Sequence, residues 1–168
     1  EGMAEESKRR AALRDRLQEQ ILAKVDEAYV NGHPERRLPH NLNISFDGIE
    51  SDVLVRLLDE RGIAVSSGSA CSNSTWEPSH VLMAMGVPIR RAVGSIRFSL
   101  GEGTTGDEID EVLAVLPVEV GAARVELAAR IGQPVQRREG LEEKVRLVDR
   151  VSLPERDEHP GLHGLEEA

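Results

Sequence analysis

Apolar residues recur every fourth position near the start of the chain. Leu13, Leu17, Ile21, Val25 and Tyr29 are separated by Arg, Glu, Gln and Lys, which predicts one long amphipathic helix over residues 4–29. The NGHP stretch at 31–34 stops it. The period then changes to two. In NLNISF (41–46), Leu42, Ile44 and Phe46 alternate with Asn41, Asn43 and Ser45, the signature of a half-buried strand. SIRFSL (95–100) repeats it, with Ile96, Phe98 and Leu100 against Ser95, Arg97 and Ser99.

Helical spacing returns between and after these strands. Val53, Leu54, Leu57 and Leu58 form the inner stripe of a helix over 51–61. Glu50 and Asp52 at its start, Arg61 at its end and Gly62 beyond suit the helix dipole and a glycine stop. GIAVSS (62–67) reads as a short apolar strand. Pro78 opens a helix over 78–85 that Gly86 ends, and a turn or short helix follows at 88–93. Thr105 and Glu108 have capping-box spacing and open a helix with Ile109, Val112 and Leu113 inward. Pro117 is expected to kink or restart that helix, because it has no amide hydrogen to donate; a further helix runs to Ile131, with Gly132 as its stop.

The predicted fold is α/β (α+β): a small three-stranded sheet packed by helices, with the first helix and the one from 106 on one face. Three regions are expected. Residues 1–30 form a helix that the chain enters at once, so it reads as cut from something longer. Residues 31–132 form the globular part. Residues 133–168 form a C-terminal extension. Leu141, Val145 and Val148 there suit a short amphipathic helix, while the closing LPERDEHPGLHGLEEA has too little apolar content to repay ordering.

Composition narrows the partners. The 168 residues carry a net charge of −9, with a pI near 5.1; nucleic acid and anionic membrane both demand a basic face, so neither is expected. No apolar run reaches the roughly 18 residues of a membrane span, and no signal-peptide core is present. One cysteine makes no internal disulfide, so a cytoplasmic location is expected. Aromatics are 2% of the chain, leaving the core to Leu, Val, Ile and Ala. No zinc-ligand spacing occurs.

The single cysteine, Cys71, lies in SSGSACSNST (66–75). A lone intracellular cysteine ordinarily serves as a small buried hydrophobe. Here the flanks are small and polar, so the thiol gains no packing from them. A strand followed by such a run suits a nucleophile on an arm, one that acts as thiolate. Arg97, in mid-strand between serines, either pairs with a surface carboxylate or offers its planar fork to a substrate carboxylate. Asn43 is a further candidate, against an ordinary edge hydrogen bond. His80 lacks a partner at general-base spacing. His33 and His40 read as turn residues, and His159 and His163 belong to the extension.

Three blocks, NGHPERRLPHNLNISF, AVSSGSACSNSTWEPSHVLMAMG and SIRFSLGEGTTGDEID, together resemble the C-terminal small domain of NifS/IscS-type cysteine desulfurases, class V aminotransferases of the fold type I pyridoxal-phosphate enzymes. The likeness runs from about residue 4 to 130. It implies that Cys71 attacks the sulfur of a cofactor-held L-cysteine, becomes a persulfide and leaves L-alanine. It implies that Arg97 binds the substrate carboxylate and that the cysteine loop carries sulfur to an iron–sulfur scaffold or thiolation acceptor. It further implies a homodimeric complete enzyme, in which the helix over 1–30 leads in from another domain. No resident metal is implied; Cys71 as a transient iron–sulfur ligand is the one candidate. The family's lysine, which forms the Schiff base with pyridoxal phosphate, has no match, since the only lysines are Lys8, Lys24 and Lys144. The chain is therefore expected to be an incomplete enzyme, inactive alone. The alternative is a sulfur-relay or interaction module that retains Cys71 without binding the cofactor. Glu102 stands where the family usually has Arg, Trp76 adds an aromatic beside the cysteine, and the extension departs from the family's scaffold-docking terminus.

Overall fold

The computed structural model describes residues 2–67 and 78–132. The element order is α1 (Gly2–Lys24), β1 (Ala28–Val30), β2 (Asn41–Phe46), α2 (Ser51–Asp59), β3 (Ser66–Ser67), α3 (His80–Ala84), α4 (Ile89–Ala92), β4 (Ser95–Ser99) and α5 (Gly106–Ile131). Residues up to Ile131 form one compact unit. The extension beyond Gly132, with its predicted helix, lies outside the described residues.

The strands form a single antiparallel sheet in the order β1-β2-β4-β3. Paired residues of an antiparallel sheet share a face, so the register sorts the side chains. Leu42 pairs with Phe98 and Ile44 with Ile96; with Phe46 they make the apolar face. Leu17 and Ile21 of α1, Val53, Leu54 and Leu58 of α2, and Ile109, Leu113, Leu116 and Val120 of α5 cover it. Each helix contributes one stripe at a spacing of three or four, as the pattern requires. Asn41, Asn43 and Ser45 pair with Ser99, Arg97 and Ser95 on the opposite, polar face. Serine and asparagine alternating with Leu, Ile and Phe thus place the polar side chains of β2 and β4 on one side of the sheet and nearly all the packing on the other.

The sheet has four strands rather than three. The first helix ends at Lys24, and Ala28–Val30 pair with Val30↔Ile44 and Ala28↔Phe46. Glu27 adopts φ +56°, a left-handed conformation that ends the helical path, and its carbonyl accepts from the Asp47 amide at 3.0 Å. Tyr29, which continues the four-residue period, therefore belongs to a strand, and the expected lead-in helix over 1–30 is shorter by its last turn. GIAVSS pairs only through Ser66 and Ser67; Ile63 and Val65 pack against the core before the pairing begins. The helix predicted from Pro78 starts at His80, with Ser79 at its N-cap. Pro117 does not end α5. Leu113, Leu116, Val120 and Ala123 on both sides of it are buried in the same core, which holds the helix through the missing hydrogen bond.

The capping box forms as predicted. The Thr105 amide donates to Glu108 Oε2 at 2.8 Å, and the Glu108 amide to Thr105 Oγ1 at 3.3 Å. Gly62 has φ +78°, and the Ile63 amide bonds back to the Leu58 carbonyl at 2.9 Å, closing α2 as a glycine stop does. Gly94 answers a different constraint. A Cβ there would lie 2.2 Å from the Phe46 carbonyl oxygen, so only glycine lets the chain enter β4 against the end of β2. Among the described residues no helix is long and apolar enough to cross a membrane.

Candidate functional site

The polar face of the sheet gathers the candidates. Arg97 sits at its middle, half-buried, with Asn43 of β2 on one side and Ser66 of β3 on the other. The Asn31 amide donates to the Asn43 carbonyl at 2.9 Å, so the Asn43 peptide groups turn toward β1. Toward β4, then, Asn43 and Arg97 form a non-hydrogen-bonded pair, the closer of the two antiparallel geometries, with Cα atoms about 4.5 Å apart.

The asparagine side chains are fixed. Asn31 Nδ2 donates to Asn43 Oδ1 at 2.6 Å and to Ser45 Oγ at 2.8 Å. Asn31 is itself held by its backbone carbonyl, which accepts from Arg37 Nη2 at 3.2 Å. Arg37 also donates to Gln18 Oε1 at 2.9 Å, tying the 31–37 loop to α1. Burial lowers the Arg37 guanidinium somewhat from its ordinary value; it stays charged. Nothing comparable restrains Arg97. Its Nε is buried without a hydrogen-bond partner, a donor short of an acceptor.

At the edge of this face, the Arg91 guanidinium lies 3.5 Å from the centroid of the Tyr29 ring, a cation–π contact. Asp47 stands 3.6 Å from Arg90 and 3.9 Å from Arg91. Ser95 Oγ donates to the Ala92 carbonyl at 2.8 Å, so α4 closes one end of the polar face over Ser45 and Ser95, both fully buried.

The predicted residues separate. Arg97 and Asn43 are brought together. Cys71 and Trp76 lie outside the described residues, as do His159, His163 and Lys144. His80 is exposed in the first turn of α3. His33 is a turn residue: its Nδ1 accepts from the amides of Glu35 and Arg36 at 3.1 and 3.0 Å. Glu102 lies in the turn after β4, where its backbone carbonyl accepts from Arg9. The sequence pattern gives Asn31 no role beyond the NGHP helix stop, and no signal marks it, because the strand that it follows is hidden in the helical period of α1.

The polar face fits an anion better than it fits pyridoxal phosphate. Its groups are guanidinium, carboxamide and hydroxyl. Lys8 and Lys24, the lysines among the described residues, are exposed on α1, which packs on the opposite, apolar face. Neither fits a Schiff base beside Arg97, and no step through the cofactor follows from these residues.

Residues 1–112 match the family "Aminotransferase class-V". The chain is 49% identical over 113 residues to "Cysteine desulfurase NifS" of Azotobacter vinelandii, covering 67% of this chain and 28% of the relative. It is 48% identical over 113 residues to "Cysteine desulfurase IscS 1" of Archaeoglobus fulgidus, covering 67% and 29%. A solved structure titled "NIFS-LIKE PROTEIN" superposes with a TM-score of 0.61 at 32% identity, over 71% of this chain and 29% of that one. The chain thus spans less than a third of the length of the curated relatives it matches. Matched over two thirds of its own length, and folded as its structural relatives are, it belongs to the class-V aminotransferase family.

Proposed function

We propose that the chain is the C-terminal small-domain portion of a cysteine desulfurase, contributing the sulfur-accepting thiol, Cys71, and the carboxylate-binding arginine, Arg97. The observation that carries this is the register between β3 and β4. Ser66 pairs directly with Arg97, and the segment bearing Cys71 leaves β3 after Ser67. Cys71 is four residues further on, a stretch that spans at most about 14 Å. The thiol is therefore tethered within reach of an amino acid whose carboxylate rests on Arg97.

The chemistry balances as L-cysteine plus the Cys71 thiol giving L-alanine plus a Cys71 persulfide. The thiolate sulfur forms a bond to the sulfur of the substrate. The Cβ–S bond breaks with its electron pair left on carbon, where a proton is taken up. No external oxidant or reductant is needed. Pyridoxal phosphate, when bound outside these residues, would supply the electron sink for the substrate. Arg97 orients the substrate by a two-point carboxylate contact. The persulfide then passes to an acceptor protein, an iron–sulfur scaffold or a thiolation carrier, and the complete enzyme is a homodimer.

A chimera tests the reading. The matched region of the Azotobacter vinelandii relative is replaced by this chain, and alanine and sulfide are measured with L-cysteine and pyridoxal phosphate. Activity lost in Cys71→Ser and Arg97→Ala supports the assignment. Full activity in Cys71→Ser removes the thiol from the reaction. A chimera that accepts sulfur on Cys71 from an added persulfide donor, yet makes no alanine, points instead to a relay module.

A further inference from the structure

We propose that Asn43 is a second donor to the carboxylate bound by Arg97, so that the anion is clamped between adjacent strands. The proposal rests on the reading of Arg97 given above and adds a residue to it. Asn31 holds Asn43 Oδ1 on the β1 side at 2.6 Å. The planar carboxamide carries Nδ2 away from that contact, and on β4 the register partner of Asn43 is Arg97. Among the described residues Asn43 Nδ2 has no partner, and neither has Arg97 Nε. Arginine has donors only, and the free half of the Asn43 amide is also a donor. They cannot bond each other. One acceptor between them completes both.

The missing acceptor has a definable chemistry. A carboxylate offers two oxygens with about four lone-pair sites, one oxygen for the guanidinium fork and one for the amide. The neighbouring hydroxyls, Ser45 and Ser66, are neutral, and the charged group of Arg90, Arg91 and Asp47 lies at the edge of the face, so the charge set between the two strands at Asn43 is that of Arg97, which suits one monoanion. The α-carboxylate of a small amino acid meets both requirements. The brace from Asn31 makes the donor pre-positioned, so little side-chain freedom is lost on binding.

Titration of the isotope-labelled chain with L-alanine, followed by NMR, tests this, with methylamine as a control that lacks the carboxylate. The Asn43 side-chain amide and the Arg97 Nε–H resonances should shift along one saturating curve with L-alanine and stay still with methylamine. Asn43→Ala should weaken the apparent Kd by roughly 3- to 10-fold, in line with one lost hydrogen bond, and Asn43→Asp should weaken it further through charge repulsion. Spectra of each variant establish that it folds, and the titration of the unsubstituted chain stands regardless. If Arg97 shifts while Asn43 does not, or if a folded Asn43→Ala variant binds as tightly as the parent, the second-donor proposal fails and the reading of Arg97 survives. If neither resonance moves, both fail.

Discussion

Asn43 and Arg97 face each other across β2 and β4, one braced from behind by Asn31 and the other holding a buried, unpartnered Nε. On the proposed reading, this braced amide and the unpartnered guanidinium hold one anion between the two strands. In the active chimera, Arg97→Lys should therefore raise the KM for L-cysteine by about 10- to 100-fold, because the ammonium keeps the charge and loses the fork. Steady-state kinetics check this, and an unchanged KM would mean that the carboxylate rests elsewhere.

Gly94 is where packing forbids any side chain. With a Cβ placed 2.2 Å from the Phe46 carbonyl, Gly94→Ala must displace either β2 or the entry to β4. The expected cost is about 2 kcal/mol or more, seen as a fall in Tm of several degrees in thermal unfolding. Gly103, whose Cβ would meet nothing within 4 Å, is the matched control and should tolerate alanine nearly unchanged.

The capping box at the start of α5 offers a local test. Thr105→Ala removes the oxygen that accepts from the Glu108 amide and should cost about 1 kcal/mol. Serine at the same position keeps that acceptor and should restore most of the loss, as measured by urea unfolding.

Glu50 gives the fold a pH dependence. It is buried at the start of α2 and hydrogen-bonded to Arg130 of α5. Burial raises its carboxyl above the ordinary value, and the bond to Arg130 offsets this only in part. A raised folded-state value means that the fold holds the proton more tightly than the unfolded chain does. Its stabilising contribution is complete below the unfolded value and is lost as pH rises through the folded one. Glu50→Gln imitates the protonated form. Parent and variant should be close in stability near pH 4, and the variant should gain on the parent between about pH 4 and pH 7. Denaturation across that range decides it; a gap that moves the other way would show the ion pair outweighing burial.

Much of this was legible in the alternation of Leu, Ile and Phe with Asn, Ser and Arg. That alternation locates β2 and β4, and it puts Arg97 and Asn43 on one face before any register is known. The first strand was not legible, because Tyr29 extends the helical period of α1 and the break comes from Glu27 in a left-handed conformation, which no glycine or proline announces. The continuity of α5 through Pro117 was hidden for the converse reason. A strong local breaker is overridden by Leu113, Leu116, Val120 and Ala123, all buried in one core. The brace from Asn31 depends on which strand lies beside β2, so it becomes visible only once the sheet order is known.

The central claim is that sulfur arrives on Cys71. Its most direct measurement is peptide mass mapping of the chimera after one turnover with isotopically labelled L-cysteine, followed by alkylation. The account predicts one labelled sulfur atom added to the peptide that carries Cys71, together with an equal amount of alanine, and neither in Arg97→Ala at the same substrate concentration. Alanine formed with the Cys71 peptide unlabelled would contradict it.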